Sequence, residues 1–239
     1  MAVCRVHAAF ALQPRGIALY DLATRRRVWF FPMGAYPVNV SVADLNADGV
    51  PEILVGTAAP ANGASLNGTD DEHCYAIALD ASGQRLWQVP VGGYFSNTAV
   101  LALPPAQGVA PLVVVTSSSA RAKNPEPGRL LLLDGATGRV LARREFSAGV
   151  GAPRALGEVG RFVVGSRGGA LRLYASDLRL LAQRHFHGPV QAWDCADVDD
   201  DGEVEVVAST EDEALILSDL LHVRARLPHL RTPGTTPRV

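Results

Sequence analysis

Short apolar runs separated by polar turns recur along this chain. Several segments share one design, in which an apolar run, a turn containing Asp, Ser, Thr or Gly, and a second apolar run follow one another. They are LYDLATRRRVW (19–29), ALDASGQRLWQ (78–88), LLDGATGRVLA (132–142), LYASDLRLLAQ (173–183) and a poorer copy, ILSDLLHVRAR (216–226). A short turn between two apolar runs is typical of a β-hairpin. The pattern therefore predicts a hairpin in each segment.

Further strand-like runs lie between these hairpins. They are rich in Val, Ile, Leu and Thr and are bounded by Gly, Pro, Asn and Asp, as in PEILVGT and RFVVGS. No helical period of useful length is present. The segment LYASDLRLLAQRHF (173–186) could form an amphipathic helix, but its place in the repeat favours two strands.

The repeat unit therefore has four strands. The units run from about residue 37 to 91, 97 to 147, 153 to 187 and 189 to 228, and residues 2–33 supply about three more strands. Four-stranded units of this length are typical of β-propeller blades, which bury their faces by stacking around an axis.

We therefore predict an all-β fold, a β-propeller of about five blades or part of a larger ring. One domain covers residues 1–230, and the tail 231–239 is predicted to be disordered. The strand that the first sheet lacks is expected from the other end of the chain, from further domains or from a partner that completes the ring. Trp29 and Trp87 hold equivalent hairpin positions and are expected to pack between neighbouring units.

Two polar loops carry a second repeat, D-x-[ND]-x-D-G-x-x-E. Residues 43–57 read ADLNADGVPEILVGT, and they align without a gap with residues 196–210, ADVDDDGEVEVVAST. The candidate metal ligands are Asp44, Asn46, Asp48 and Glu52 in the first loop and Asp197, Asp199, Asp201 and Glu205 in the second. Ca²⁺ takes about six to eight oxygen ligands in flexible geometry, which alternate acids in a tight turn can offer.

The alternatives to a calcium site can be weighed from the same residues. The glutamate falls at the ninth position between strands, whereas an EF-hand has it at about the twelfth between helices. Mg²⁺ fits less well, because it keeps most of its waters. Asp, Asn and Gly also form ordinary solvated turns. The recurrence of the whole pattern favours calcium. The equivalent loops LPPAQGVAPLVV and LGEVGRFVV have lost its aspartates, so the turn does not need them for folding.

Composition excludes some partners. The chain has 22 basic and 24 acidic residues, so nucleic acid is not expected as a partner. No apolar stretch is long enough for a transmembrane helix, so no membrane insertion is expected. The start of the chain lacks a signal-peptide pattern, whereas weak calcium loops suit an extracellular or periplasmic compartment. Motifs of common hydrolases and nucleotide-binding enzymes are missing.

The acidic loops and the E-I-x-V-G run resemble the FG-GAP/VCBS repeats of integrin-α-type propellers, and hairpins such as LLLDGATGRVLA resemble the PQQ-type quinoprotein repeat. The resemblance extends over most of residues 17–226. It implies calcium loops on one face, between the first two strands of a blade. It also implies a ligand-binding face on the opposite side, formed by the loops between strands two and three and the connections between blades.

This geometry selects candidate ligand-binding residues. Long loops on a rigid scaffold frequently carry binding sites. The candidates are Asp70, Asp71, His73, Tyr94, Asn97, Arg121 and Arg154. The sequence thus predicts a calcium-binding, non-enzymatic module for a protein or glycan ligand. The alternatives are a calcium-dependent polysaccharide lyase or hydrolase, if these side chains converge in one pocket, and a purely structural or sensory segment of a longer protein.

Overall fold

The computed structural model describes residues 1–6, 14–93, 96–103, 110–119, 127–157 and 160–227. All regular secondary structure in these ranges is β-strand, which confirms the all-β prediction. The segment 173–186 forms strands and not a helix. Within the described ranges no helix could cross a bilayer. The tail predicted to be disordered, 231–239, lies outside the described residues.

The strands form antiparallel sheets that follow one another along the chain. The N-terminal sheet contains β1 (Ala2–Val6), β2 (Gly16–Asp21) and β3 (Arg26–Pro32). Blade 1 contains β4 (Tyr36–Ala43), β5 (Glu52–Ala58), β8 (Cys74–Leu79) and β9 (Arg85–Gly92), with a small hairpin of β6 (Ser65–Leu66) and β7 (Thr69–Asp70) inserted. Blade 2 contains β10 (Ser96–Leu103), β11 (Leu112–Ser119), β12 (Gly128–Asp134) and β13 (Val140–Phe146). Blades 1 and 2 are joined by one ladder pair, Asn97 with Ala58.

The remaining strands form two separate four-stranded sheets. Blade 3 contains β14 (Arg154–Leu156), β15 (Arg161–Gly165), β16 (Ala170–Tyr174) and β17 (Leu180–His185). Blade 4 contains β18 (Ala192–Ala196), β19 (Glu205–Ser209), β20 (Ala214–Leu217) and β21 (Val223–Leu227). The first strands of blades 1 to 4 are neighbours in space, so they line the centre of the arrangement.

Each predicted hairpin is present, and all of them have a β-bulge at the same place. The ladder shifts register next to Leu19, Ala78, Leu132, Leu173 and Ile216, in each case just before the turn. The extra residues on the last strands are Val28, Leu86, Leu141, Leu181 and Arg224. A bulge increases the local twist of a strand pair, so its repetition gives each sheet the same twist.

The core lies between successive sheets. Alternate residues of each strand point to opposite faces, and both faces of blades 1, 2 and 3 are packed. One cluster joins the N-terminal sheet to blade 1 through Ile17 and Ile77, and the next joins blades 1 and 2 through Leu54 and Val115. Two more clusters join blade 2 to blade 3 and blade 3 to blade 4. This is the face-to-face stacking that was predicted for a propeller.

The tryptophans of the hairpins pack between sheets, as predicted. The Trp29 indole N–H donates to the Ala81 carbonyl at 3.0 Å, in the turn of blade 1. The Trp87 indole N–H donates to the Gly135 carbonyl at 2.7 Å, in the turn of blade 2. Each side chain therefore fixes its own sheet to the turn of the next one.

Candidate metal loops and central cavity

The two acidic loops have the same backbone shape. Each lies between the first and second strands of its blade, β4 and β5 or β18 and β19. The fourth position has a positive φ in both loops, 63° at Ala47 and 61° at Asp200. The sixth position is glycine with φ of 83° at Gly49 and 86° at Gly202, a region that favours glycine. The sequence repeat therefore corresponds to a structural repeat.

Equivalent hydrogen bonds close both loops. The Gly49 and Gly202 amides each donate to the first aspartate of their loop, Asp44 or Asp197, at 2.9 Å. The closing glutamates are buried, with 3% of Glu52 and none of Glu205 exposed. Each accepts the second amide of its loop, at 2.6 Å for Leu45 to Glu52 and 3.1 Å for Val198 to Glu205. The ninth-position carboxylate thus points back into its loop.

In the first loop an amide side chain holds the acids together. The Asn46 Nδ2 donates to Asp48 at 3.0 Å and to Glu52 at 3.3 Å, and its Oδ1 accepts the Asp48 amide at 2.9 Å. The Gly49 amide, with further loop amides, lowers the pKa of Asp44. Burial, and then the charges of Asp48 and Asp44, raises the pKa of Glu52. This loop therefore contains carboxylate repulsion that a cation would relieve.

In the second loop an arginine, and not an amide, holds the acids together. Arg224 contacts Asp201, Glu203 and Glu205 from the bulge on β21. Its hydrogen bond to Glu203, together with the nearby acids, raises the pKa of the guanidinium. The side chain of Asp199 makes no hydrogen bond or ion pair with any part of the chain that the structure describes.

The second loop brings its carboxylates together in two overlapping groups, Asp197 with Asp199 and Glu205, and Asp201 with Glu203 and Glu205. One carboxylate oxygen from each of Asp197, Asp199 and Glu205 lies within 4.8 Å of the others. Oxygens that surround Ca²⁺ at about 2.3–2.6 Å are separated by up to about twice that radius. Asp44, Asp48 and Glu52 form no such group, because the Asn46 amide lies between them. To bind a cation, the first loop would have to rotate the Asn46 side chain so that its amide oxygen, and not its nitrogen, faces the carboxylates.

The long insertion of blade 1, residues 58–73, is fixed by a buried ion pair. The Arg15 Nη1 lies 3.5 Å from an Asp71 carboxylate oxygen, and both side chains are 1% exposed. Asp71 also accepts the amides of Asn62 at 2.9 Å and Ala64 at 3.1 Å, and Arg15 donates to Asn62 at 2.6 Å. Asp71 therefore holds the insertion in place and is not presented to solvent.

Asp70 and His73 meet at the surface of the same insertion. The His73 Nδ1 lies 2.8 Å from an Asp70 carboxylate oxygen, and the Tyr75 hydroxyl donates to Asp70 at 3.0 Å. Burial raises the pKa of Asp70, but the hydrogen bonds from His73 and Tyr75 outweigh it and leave the pKa below its usual range. Asp70, His73 and Tyr75 therefore form a group that is separate from the buried contact of Asp71 and Arg15.

A central cavity of about 550 Å³ opens where the first strands begin. The same strands end at the acidic loops, so cavity and loops lie on opposite faces. The polar and aromatic residues of its wall come from all four blades. They are Asn39, Asn97, Thr98, Thr116, Ser118, Arg154, Ser166, Arg167, Gln191 and Trp193. Among the described residues that line it there is no Asp, Glu, His, Lys, Cys or Tyr.

Several polar groups of this wall are unpaired. Thr98 is 1% exposed, and its hydroxyl has no hydrogen-bond partner. The Trp193 indole N–H is also buried without a partner. Arg154 is engaged in part, with its Nε 3.3 Å from Asp194. A buried polar group without a partner is rare in a folded protein and indicates a site that water or a ligand completes.

The predicted ligand residues are thus distributed over separate places. Asn97 and Arg154 lie in the wall of the central cavity, whereas Asp70, Asp71 and His73 lie in the insertion. Tyr94 and Arg121 are outside the described residues. Sequence reasoning missed Thr98 and Gln191, because only the meeting of several first strands brings them together. It also missed Arg167, although this residue lies in the turn between the second and third strands of blade 3, where the resemblance places the ligand face. Trp193, just before the second acidic loop, is expected from the sequence to be a core residue, and it packs against the cluster between blades 3 and 4.

Comparisons with known proteins support the fold. No protein-family profile matches the chain, and no curated protein matches its sequence. Among solved structures, a protein of unknown function from Bacteroides caccae has a TM-score of 0.52 at 17% identity over 95% of this chain and 72% of its own. BBS1N, solved in complex with ARL6DN, has a TM-score of 0.58 at 14% identity over 93% of this chain and 66% of its own.

The exotype rhamnogalacturonan lyase YesX has a TM-score of 0.59 at 13% identity, over 92% of this chain. This chain spans 44% of that enzyme. At such identities the likeness establishes a propeller-like fold and nothing about chemistry.

Proposed function

We propose that this protein is a calcium-binding β-propeller that recognises a protein or glycan ligand without changing it chemically. The observation that carries the proposal is the central cavity, whose buried hydroxyl and indole N–H groups have no partner. A volume of about 550 Å³ is within the range of small-molecule sites, about 300–1,000 Å³. Its place opposite the acidic loops agrees with the ligand face that the FG-GAP/VCBS resemblance implies.

Calcium has a structural part in this proposal. Asp197, Asp199 and Glu205 would hold one ion, and Asp44, Asp48 and Glu52 with Asn46 would hold another. A bound cation neutralises carboxylates that repel each other, and binding to the folded state alone stabilises it by mass action. The loops connect the two inner strands of blades 1 and 4, so the ions would stiffen the wall of the cavity from the other face.

The competing hypothesis is a calcium-dependent carbohydrate-active enzyme. Rhamnogalacturonan lyases are among the proteins of similar fold, but the identity of 13% supports no shared activity. An acid–base reaction needs titratable groups within reach of the substrate. The polar side chains of the described wall are arginines, amides, hydroxyls and an indole, with no carboxylate or imidazole among them, which favours binding.

The test is an oligosaccharide and peptide array probed with the chain in calcium buffer. The same ligands are then incubated with the chain in solution, and new reducing or unsaturated ends are measured. The proposal predicts binding that falls in Asn97→Ala, without product. Product that depends on calcium would favour the enzyme. Binding that Asn97→Ala leaves unchanged would place recognition elsewhere and contradict the proposal.

A further inference from the structure

We propose that the central cavity binds an anionic saccharide, a sugar acid whose carboxylate is held by Arg167 and Arg154. The inference rests on the proposed function, because it names the ligand class of the same cavity. Its first support is charge: the described lining contains two arginines and no acidic residue. Such a wall attracts an anion, although the Asp194 carboxylate beside Arg154 leaves most of that attraction to Arg167.

Arg167 is the more available of the two cations. Its guanidinium makes no ion pair or hydrogen bond with any residue that the structure describes. Its amide donates to the Gly149 carbonyl at 2.9 Å, and its Cδ lies close to Gly149, so the base of the side chain is fixed beside the connection to blade 3. Arg154 is partly neutralised by Asp194 at 3.3 Å. A guanidinium binds a carboxylate through two parallel hydrogen bonds.

The neutral groups of the wall favour a saccharide over an acidic peptide. The amide side chains of Asn97 and Gln191 make no hydrogen bond with the described residues, and the Thr98 hydroxyl is buried without a partner. Each of these groups can both donate and accept. Sugar hydroxyls need the same pairing, because each of them is a donor and an acceptor at once.

Trp193 supplies a rigid edge to the site. Its six-membered ring lies directly against Gly151 and Gly165, where an added Cβ would come within 2.1 Å and 2.5 Å of ring atoms. The indole is therefore fixed between blades 3 and 4, while its N–H stays buried and unpaired in the cavity wall.

The experiment compares two sugars that differ only at C6, methyl β-D-glucuronide and methyl β-D-glucoside. Each is titrated calorimetrically into the chain with calcium present. The glucuronide should bind about tenfold more tightly or better, as expected when a carboxylate gains charge-assisted hydrogen bonds. Arg167→Gln should abolish this preference, and Arg167→Lys should keep part of it, because it keeps the charge.

Matched controls separate binding from folding. Arg179→Gln removes an exposed arginine that is paired only with Asp177 in the hairpin of blade 3, and it should change neither affinity. Melting temperatures show whether each variant is folded, and Asn97→Ala tests the cavity without changing its charge.

Each outcome decides the question. Equal affinity for the two sugars would overturn the anionic preference and leave saccharide recognition standing. Tighter binding of N-acetyl-Asp-Asp amide than of the glucuronide would overturn the saccharide assignment in favour of an acidic peptide. Binding of neither sugar would overturn this inference, and the proposed function would still stand if the array detects a ligand that Asn97→Ala weakens.

Discussion

The two acidic loops have one backbone but hold their carboxylates together in different ways. In the first loop the donor is the Asn46 amide, which reaches Asp48 and Glu52 from within the turn. In the second loop it is Arg224, which comes from the last strand of the blade. Both loops therefore have a hydrogen-bond donor among their acids. The first loop supplies it from within the turn, and the second receives it from a distant strand.

The origin of the difference is one position in the repeat. The bulge residue is Val or Leu in the N-terminal sheet and in blades 1 to 3, and Arg224 alone among these bulge positions carries a charge. Its counterpart beside the first loop is Leu86, which is 46% exposed. The second loop also has acids at its fourth and seventh positions, Asp200 and Glu203, so it needs more positive charge nearby.

The largest effect is expected from removing the closing glutamates. Glu205→Ala deletes a fully buried carboxylate and leaves both the Val198 amide and Arg224 without it. We expect the free energy of unfolding in EDTA to fall by about 3 kcal/mol, measured by urea denaturation. Glu52→Ala leaves only amide donors unpaired and should cost about 2 kcal/mol. Equal losses would contradict the distinction between the loops.

Arg224→Leu introduces the residue that blade 1 has at the same place. Without metal, the acids of the second loop then lack the positive charge of Arg224. The melting temperature in EDTA should therefore fall by less than half as much as it does in Glu205→Ala. Calcium should restore most of the loss, because it supplies the missing positive charge. Leu141→Ala, at the bulge of blade 2, is the control and should show no such calcium dependence. A loss that calcium leaves unchanged would mean that Arg224 acts through packing.

The converse exchange, Leu86→Arg, brings a guanidinium to the first loop. An exposed ion pair adds only about 0.5 kcal/mol, so the stability in EDTA should rise slightly or stay the same. The calcium affinity of the first loop should fall a few fold, because the ion must compete with the arginine. Calorimetric titration in an Asp199→Ala background isolates that loop. Unchanged affinity would show that the bulge position of blade 1 does not reach the loop.

Local and repeated features of the chain could be predicted from sequence, and isolated long-range contacts could not. The hairpins and the acidic loops follow from patterns within a few residues. The packing of Trp29 and Trp87 joins residues 52 and 48 positions apart, and it could be predicted because both hold the same place in the repeat. The pairing of Arg15 with Asp71 joins residues 56 positions apart and has no sequence signal. In the sequence, Arg224 belongs to the poorest of the hairpin copies. Its contacts with Glu203 and Glu205 depend on a β-bulge that this pattern does not indicate. The central cavity forms only where the first strands meet.

Calcium binding by the loops is the central claim, and a thermal melt tests it most directly. The chain is melted in EDTA, in Ca²⁺ and in Mg²⁺, beside Asp199→Ala, whose carboxylate supports no hydrogen bond among the described residues. Calcium at a hundred times its dissociation constant should add about 2.7 kcal/mol for each site, with Mg²⁺ weaker. Asp199→Ala should keep the melting temperature in EDTA and lose much of the calcium response. If millimolar calcium leaves the wild-type midpoint unchanged, the loops are ordinary acidic turns and the account fails.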